Sequence, residues 1–223
     1  MIYTIIFIVV AFLCTLCVQF YNNKEEILSN RSVYEKVKSL IKIRKNTIAT
    51  IILSFFVGIL LAHVSYYYYM KTFEYTLKIL LVYQLLIPIA YMDYKKQIIP
   101  NKLVLLGLLI FTVFLLHELL VLRIEPMILL TFYGSGLLLG GGVFVLCAVL
   151  TKGSMGMGDI KLYGMLGLLL GWEGIANVMF FSIVLVALYG IVMILRKKVS
   201  AKSLVPIGPF TFITVMFLIF LGL

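Results

Sequence analysis

Residues 103–122 read LVLLGLLIFTVFLLHELLVL, a run with one histidine and one glutamate near its end. A helix of about 20 apolar residues crosses the hydrocarbon core of a bilayer. Similar runs fill a chain that is 63% hydrophobic and 13% charged, with a mean hydropathy of +1.15. Soluble domains carry about 25% charged residues, and transmembrane barrels alternate apolar with polar residues. The sequence therefore predicts an all-α fold, a polytopic membrane helical bundle.

The apolar runs predict about eight transmembrane segments, at 1–20, 47–69, 76–92, 103–122, 127–150, 160–172, 175–195 and 204–223. The sixth is short for a full crossing, and the turn at 171–174 leads from it into the seventh. The first lacks the basic start and the cleavage site of a signal peptide, so we interpret it as a mature span. We expect a two-span region at 1–75 that includes a basic loop at 21–46, and a six-span region at 76–223.

The distribution of basic residues predicts how the protein is oriented. Sixteen of the 19 lysines and arginines fall in the loops 21–46, 94–102, 151–161 and 196–203, all on one side of the predicted bundle. Short cytoplasmic loops are enriched in lysine and arginine. We therefore place these loops in the cytoplasm. The net charge of +10 is explained by this placement, and no nucleic-acid partner is expected.

The three cysteines, Cys14, Cys17 and Cys147, all lie within apolar runs. The first two have C-x-x-C spacing, but neither a second pair nor a nearby histidine would complete a metal site. We interpret the cysteines as packing residues and predict no disulfide framework, no metal and no cofactor.

Two aspartates stand at the edge of apolar runs on the predicted cytoplasmic side. Asp93 ends the third segment, and Asp159 opens the sixth. Two carboxyls that approach at a partly dry interface share one proton, which suits acid/base chemistry. A structural reading is also open, in which Asp159 is a helix N-cap and Asp93 is a loop acid paired with a lysine. The residues alone do not decide between acid/base chemistry and a structural role for the two aspartates.

Glycines near Asp159 and in the apolar runs suggest close packing. Gly156 and Gly158 would give an extended substrate backbone room beside the acid. Small residues at helical spacing, which favour helix packing, occur at Gly136, Gly140, Gly164, Gly167 and Gly171. This packing would also bring segment 160–172 beside segment 76–92.

Three stretches together resemble the type IV prepilin peptidase family. Gly156-Met157-Gly158-Asp159-Ile160-Lys161-Leu162 is similar to its Gly-x-Gly-Asp signature. The stretch from Asp93 to Asn101, ending Ile99-Pro100-Asn101, resembles its first-aspartate motif. Pro206-Ile207-Gly208-Pro209-Phe210 resembles its late Pro/Gly motif. The three occur in family order and cover about residues 80–223.

The resemblance implies a bacterial aspartic endopeptidase of the inner membrane, with its active site facing the cytoplasm. Its partner would be the short basic leader of a prepilin or pseudopilin together with the apolar helix that follows, within the lipid bilayer. The catalytic residues would be Asp93 and Asp159 in the six-span region. The residues that bind substrate or shape the motifs would be Gly156, Gly158, Lys161, Pro100, Asn101 and Pro209.

The N-terminal part departs from the pattern of many family members. Those members carry two C-x-x-C pairs after the first span, in a domain associated with zinc and N-methylation. The loop 21–46 has no cysteine, so we expect peptidase activity without methyltransferase activity. Intramembrane acids also serve proton relays. A proton-coupled transporter and a non-catalytic component of a pilus or secretion machine therefore stay as alternatives.

Overall fold

The computed structural model describes residues 72–150, 156–196 and 205–222, with scattered positions between 56 and 70. The predicted span 1–20, the basic loop 21–46 and most of the predicted span 47–69 lie outside the described residues. The same holds for Cys14, Cys17 and parts of the loops 151–161 and 196–203.

The described residues form helices and carry no strand. The helices are α1 (Phe73–Lys96), α2 (Asn101–Leu120), α3 (Pro126–Leu150), α4 (Met157–Leu195) and α5 (Gly208–Leu221). Helices α1 to α4 are long and apolar enough to cross a membrane, whereas α5 is a shorter apolar helix. The all-α prediction is confirmed. The part of the chain that is described contains four candidate spans, so the predicted total of about eight is not confirmed.

Helix α4 joins what the sequence divides into two segments. At 39 residues it is about 58 Å long, nearly twice the thickness of a hydrocarbon core. The helix is broken at Gly171, whose φ of 70° and ψ of −175° lie in a region open essentially to glycine alone. The predicted break is therefore present, but it is a single residue, and Trp172 to Gly174 are already helical.

Helix α3 packs backbone to backbone against α4. A Cβ atom at Gly136 would overlap the carbonyl oxygen of Gly167, and one at Gly140 would overlap the carbonyl oxygen of Tyr163. Gly140 lies within a π-helical turn of α3, Leu138–Gly142. The predicted glycine packing is confirmed. The glycine face of α4 meets α3, and the expectation that this packing also brings segment 160–172 beside segment 76–92 stays a prediction.

Contacts divide the chain into two compact units, Met1–Pro88 and Ile89–Leu223, so the division falls within α1. In the second unit, α4 contacts α2, α3 and α5. All the residues that the sequence predicted for the site belong to this unit. The predicted boundary between a region 1–75 and a region 76–223 stays a prediction.

Candidate functional site

Asp93 lies in the last turn of α1 and is buried, with 5% of its surface exposed. Its Oδ2 atom accepts a hydrogen bond from the backbone N–H of Gly208, at an N···O distance of 2.7 Å. The helix ends three residues later, at Lys96, and the N–H of Gln97 donates to the carbonyl oxygen of Asp93. The reading of Asp93 as a loop acid paired with a lysine is therefore wrong.

Gly208 is the first residue of α5, so its N–H has no acceptor within that helix. The partial positive charge of a helix N-terminus favours a negative group there. The approach leaves no space for a side chain, because a Cβ atom at Gly208 would lie 2.9 Å from Asp93 Oδ2 and 3.0 Å from Asp93 Cβ. Glycine at this position therefore permits the hydrogen bond to Asp93.

Asp159 lies in the first turn of α4 and is half-buried. The N-cap is Gly156, whose carbonyl oxygen accepts from the N–H of Asp159, and the cap has no side-chain hydrogen bond. The reading of Asp159 as an N-cap is therefore wrong. Its carboxyl is close enough to Asp93 for the two charges to interact. The structure thus brings together the two acids, although 66 positions separate them in the sequence.

The segment between α1 and α2 lies against the start of α4. A Cβ atom at Gly158 would lie 3.2 Å from Ile99 Cβ, and Lys161 Nζ donates to Asn101 Oδ1 at 3.1 Å. Pro100 is the buried N-cap of α2, which begins at Asn101, two residues before the predicted span 103–122. Gly156 is exposed at the start of α4.

The late Pro/Gly stretch contacts Asp93 through a different residue from the one singled out in the sequence. Pro209 lies in the first turn of α5, while the contact with Asp93 is made by Gly208. The sequence did carry one signal for Gly208. It lies next to a proline at a predicted helix start, where backbone N–H groups have no acceptor within the helix. Nothing in the sequence showed which acid that N–H would face.

Comparison with known proteins identifies the family to which the sequence belongs. The sequence model of the type IV leader peptidase family matches residues 79–191, half of the chain. The chain belongs to the type IV leader peptidase family. A prepilin leader peptidase/N-methyltransferase of Bacillus subtilis (strain 168) is 33% identical over 128 residues. No solved structure matches the chain.

The likeness to the Bacillus subtilis relative covers 56% of this chain and 48% of the relative, so the chain matches about half of that protein's length. The region matched by the leader peptidase family includes Asp93, Asn101, Asp159 and Lys161 and ends before Gly208. The contact between Gly208 and Asp93 therefore comes from the structure and not from the family match.

Proposed function

We propose that this member of the leader peptidase family is a membrane aspartic endopeptidase that removes the short basic leader of prepilin-like proteins at the cytoplasmic face. The observation that supports it most is the proximity of Asp93 and Asp159, whose carboxyls are close enough for their charges to interact. The two residues lie at the end of α1 and the start of α4. Family membership supports the reaction class.

The proposed chemistry needs the pair of carboxyls and a water molecule. When two carboxyls share a site, they hold one proton between them, because both cannot ionise cheaply. The ionised member removes a proton from water, which attacks the carbonyl carbon of the scissile peptide. The protonated member donates a hydrogen bond to the carbonyl oxygen and later supplies a proton to the leaving nitrogen. The peptide bond breaks without a covalent intermediate.

The surroundings of Asp159 suit an extended substrate. A helical peptide has to unwind before its carbonyl is open to attack, because its backbone groups are paired within the helix. Gly156 is exposed and extended, with φ −67° and ψ 128°, next to the turn that carries Asp159. We propose that the substrate backbone lies along this glycine and that Lys161 and Asn101 hold the segment 97–101 in place beside it.

We also propose that this chain cleaves without methylating. The relative's name includes N-methyltransferase. In this chain, however, the loop 21–46 has no cysteine, and Cys14 and Cys17 lie in the apolar run 1–20. Mass spectrometry of the mature substrate after co-expression tests this part. An unmodified N-terminal amine is expected, and a mass increase of one methyl group would contradict the proposal.

The peptidase proposal is tested by co-expressing the full chain with a prepilin-type substrate, whose basic leader ends in glycine before an apolar helix. Asp93→Asn and Asp159→Asn should each slow leader removal by at least about 10²-fold. Glu125→Gln is the matched control, because it makes the same acid-to-amide change at an exposed residue at the start of α3. Processing at the wild-type rate by either aspartate variant would rule out the two-aspartate mechanism.

A further inference from the structure

Two buried hydroxyls join α4 to α5, about one helical turn after Asp159 and Gly208. The Oη atom of Tyr163 lies 2.9 Å from Oγ1 of Thr211, and both side chains are fully buried, at 0% exposure. Tyr163 follows Asp159 by one helical turn, and Thr211 follows Gly208 by about one turn. This hydroxyl pair therefore links the helix that carries one acid to the helix whose N-terminus contacts the other.

The direction of this hydrogen bond follows from the proton count. Oγ1 of Thr211 donates to the carbonyl oxygen of Ile207 at 3.1 Å. A threonine hydroxyl has a single proton to donate. Since that proton is committed to Ile207, Thr211 accepts from Tyr163, and Tyr163 is the donor of the pair.

The carbonyl group of Ile207 and the N–H of Gly208 belong to one peptide group. That peptide group accepts from Thr211 at its oxygen and donates to Asp93 at its nitrogen. The hydrogen bonds thus form one chain, from Tyr163 through Thr211 and the peptide to Asp93. Successive hydrogen bonds of the same polarity strengthen one another in a medium of low dielectric constant.

The start of this chain is held in a fixed orientation. The ring of Tyr163 stacks on Phe144 of α3, with 4.2 Å between ring centroids and 16° between ring planes. Stacking of this kind restricts the ring and so directs its hydroxyl at Thr211. The three helices α3, α4 and α5 together determine where the N–H of Gly208 points.

We infer that Tyr163 and Thr211 are positioning residues, which hold the Ile207–Gly208 peptide so that its N–H donates to Asp93. The inference rests on the proposed function for its catalytic meaning. An N–H donor is best satisfied by an ionised carboxylate, whereas within the described part of the chain no hydrogen bond is donated to the carboxyl of Asp159. This difference assigns Asp93 as the base that takes the proton from water and Asp159 as the acid that carries the shared proton.

Cleavage kinetics with matched variants test the inference. Tyr163→Phe and Thr211→Val remove the two hydroxyls and should each lower kcat about 3- to 10-fold with little change in KM. Thr211→Ser keeps a hydroxyl and should retain most of the wild-type kcat. The assay uses the full-length detergent-solubilised protein and the same prepilin-type substrate.

Two controls separate positioning from packing. Thr214 is buried on the same helix, and its hydroxyl has no hydrogen-bond partner among the described residues. Tyr133 is a buried tyrosine of α3 whose hydroxyl donates to Glu118. Thr214→Val and Tyr133→Phe should leave kcat within about twofold. Equal losses in Thr211→Val and Thr211→Ser, or in Thr211→Val and Thr214→Val, would overturn the inference.

A second measurement tests the hydrogen-bond chain independently of peptidase activity. Isoleucine followed by glycine occurs once in the sequence, at Ile207-Gly208. Carbonyl-¹³C isoleucine with ¹⁵N glycine therefore yields one NMR correlation from this peptide group. Thr211→Val and Tyr163→Phe should move its carbonyl and amide-proton shifts upfield, and Asp93→Asn should move the amide proton, while Thr214→Val leaves the peak in place.

The two experiments fail in distinguishable ways. If the wild type cleaves, Asp93→Asn does not, and the hydroxyl variants keep full kcat, the inference is wrong and the proposed function stands. If the wild type does not cleave, the proposed function fails, and the positioning role fails with it even where the NMR peak moves. A peak that does not move in Thr211→Val overturns the hydrogen-bond chain whatever the kinetics show.

Discussion

At the scale of single residues, the candidate site contains a close approach of a backbone N–H to a carboxylate. The N–H of Gly208 reaches Asp93 across a space that has no room for a Cβ atom. The acids were identifiable from the sequence, because carboxylates are costly at the edge of apolar runs. Gly208, Tyr163 and Thr211 were not, since a glycine or a hydroxyl within an apolar helix looks the same whether it packs or positions another group.

Replacing Gly208 by alanine should disable the site while the helices still form. The added Cβ atom would push Asp93 aside, because its nearest neighbours are Oδ2 and Cβ of that residue. We predict at least a tenfold loss of kcat for leader removal. Gly190→Ala is the control, since a Cβ atom there meets nothing within 4 Å. Unchanged kcat in Gly208→Ala would show that the observed contact is not needed.

Gly158 differs from Gly208 in what its Cβ atom would meet. A Cβ atom at Gly158 would lie 3.2 Å from Ile99 Cβ and slightly farther from the other atoms of that side chain. The Ile99 side chain can shift by a few tenths of an ångström. Gly158→Ala should therefore slow cleavage less than Gly208→Ala does. The two variants compared in one kcat assay test this order, and a larger loss in Gly158→Ala would contradict it.

At the scale of helices, the sequence predicted where the described helices begin and end better than it predicted which helices pack together. For the segments that the structure describes, the apolar runs placed the helix ends to within about four residues, for example 103–122 against Asn101–Leu120. Helix ends lie where apolar sequence stops, and hydrophobic length makes that visible. Which helix packs against a glycine face depends on three-dimensional packing, so the sequence did not show that the glycines of α4 would meet those of α3.

The backbone contact between α3 and α4 makes a prediction about stability. Gly136→Ala should destabilise the protein by about 1–3 kcal/mol or more, because its Cβ atom would overlap the carbonyl group of Gly167. Gly142→Ala changes the same helix at a position where a Cβ atom meets nothing within 4 Å. Thermal unfolding in detergent should show a lower Tm for Gly136→Ala alone. Equal Tm values would contradict the packing.

At the scale of the whole molecule, the residues of the candidate site lie at the ends of described helices. The end of α1 and the starts of α4 and α5 contribute Asp93, Asp159 and Gly208, and the start of α2 is tied to α4 through Asn101 and Lys161. Charge asymmetry predicts that these ends face the cytoplasm, since sixteen of the 19 lysines and arginines lie on that side.

This orientation can be measured with single cysteines in a variant whose three native cysteines are replaced. In intact cells, a membrane-impermeant maleimide should label Glu125→Cys, between α2 and α3, and should label Lys96→Cys only after the membrane is broken. Both residues are exposed, so burial does not limit labelling. The reverse pattern would place the two aspartates on the outer side and would contradict a cytoplasmic reaction.

The central claim is that Asp93 and Asp159 act as one catalytic unit, and the rate of leader removal in a double-mutant cycle tests it most directly. Residues that act as a unit have strongly non-additive effects. The rates of Asp93→Asn, Asp159→Asn and the double variant should therefore be equally low, at amounts of inserted protein matched to the wild type. A double variant slower than either single variant by the product of their separate losses would contradict the claim.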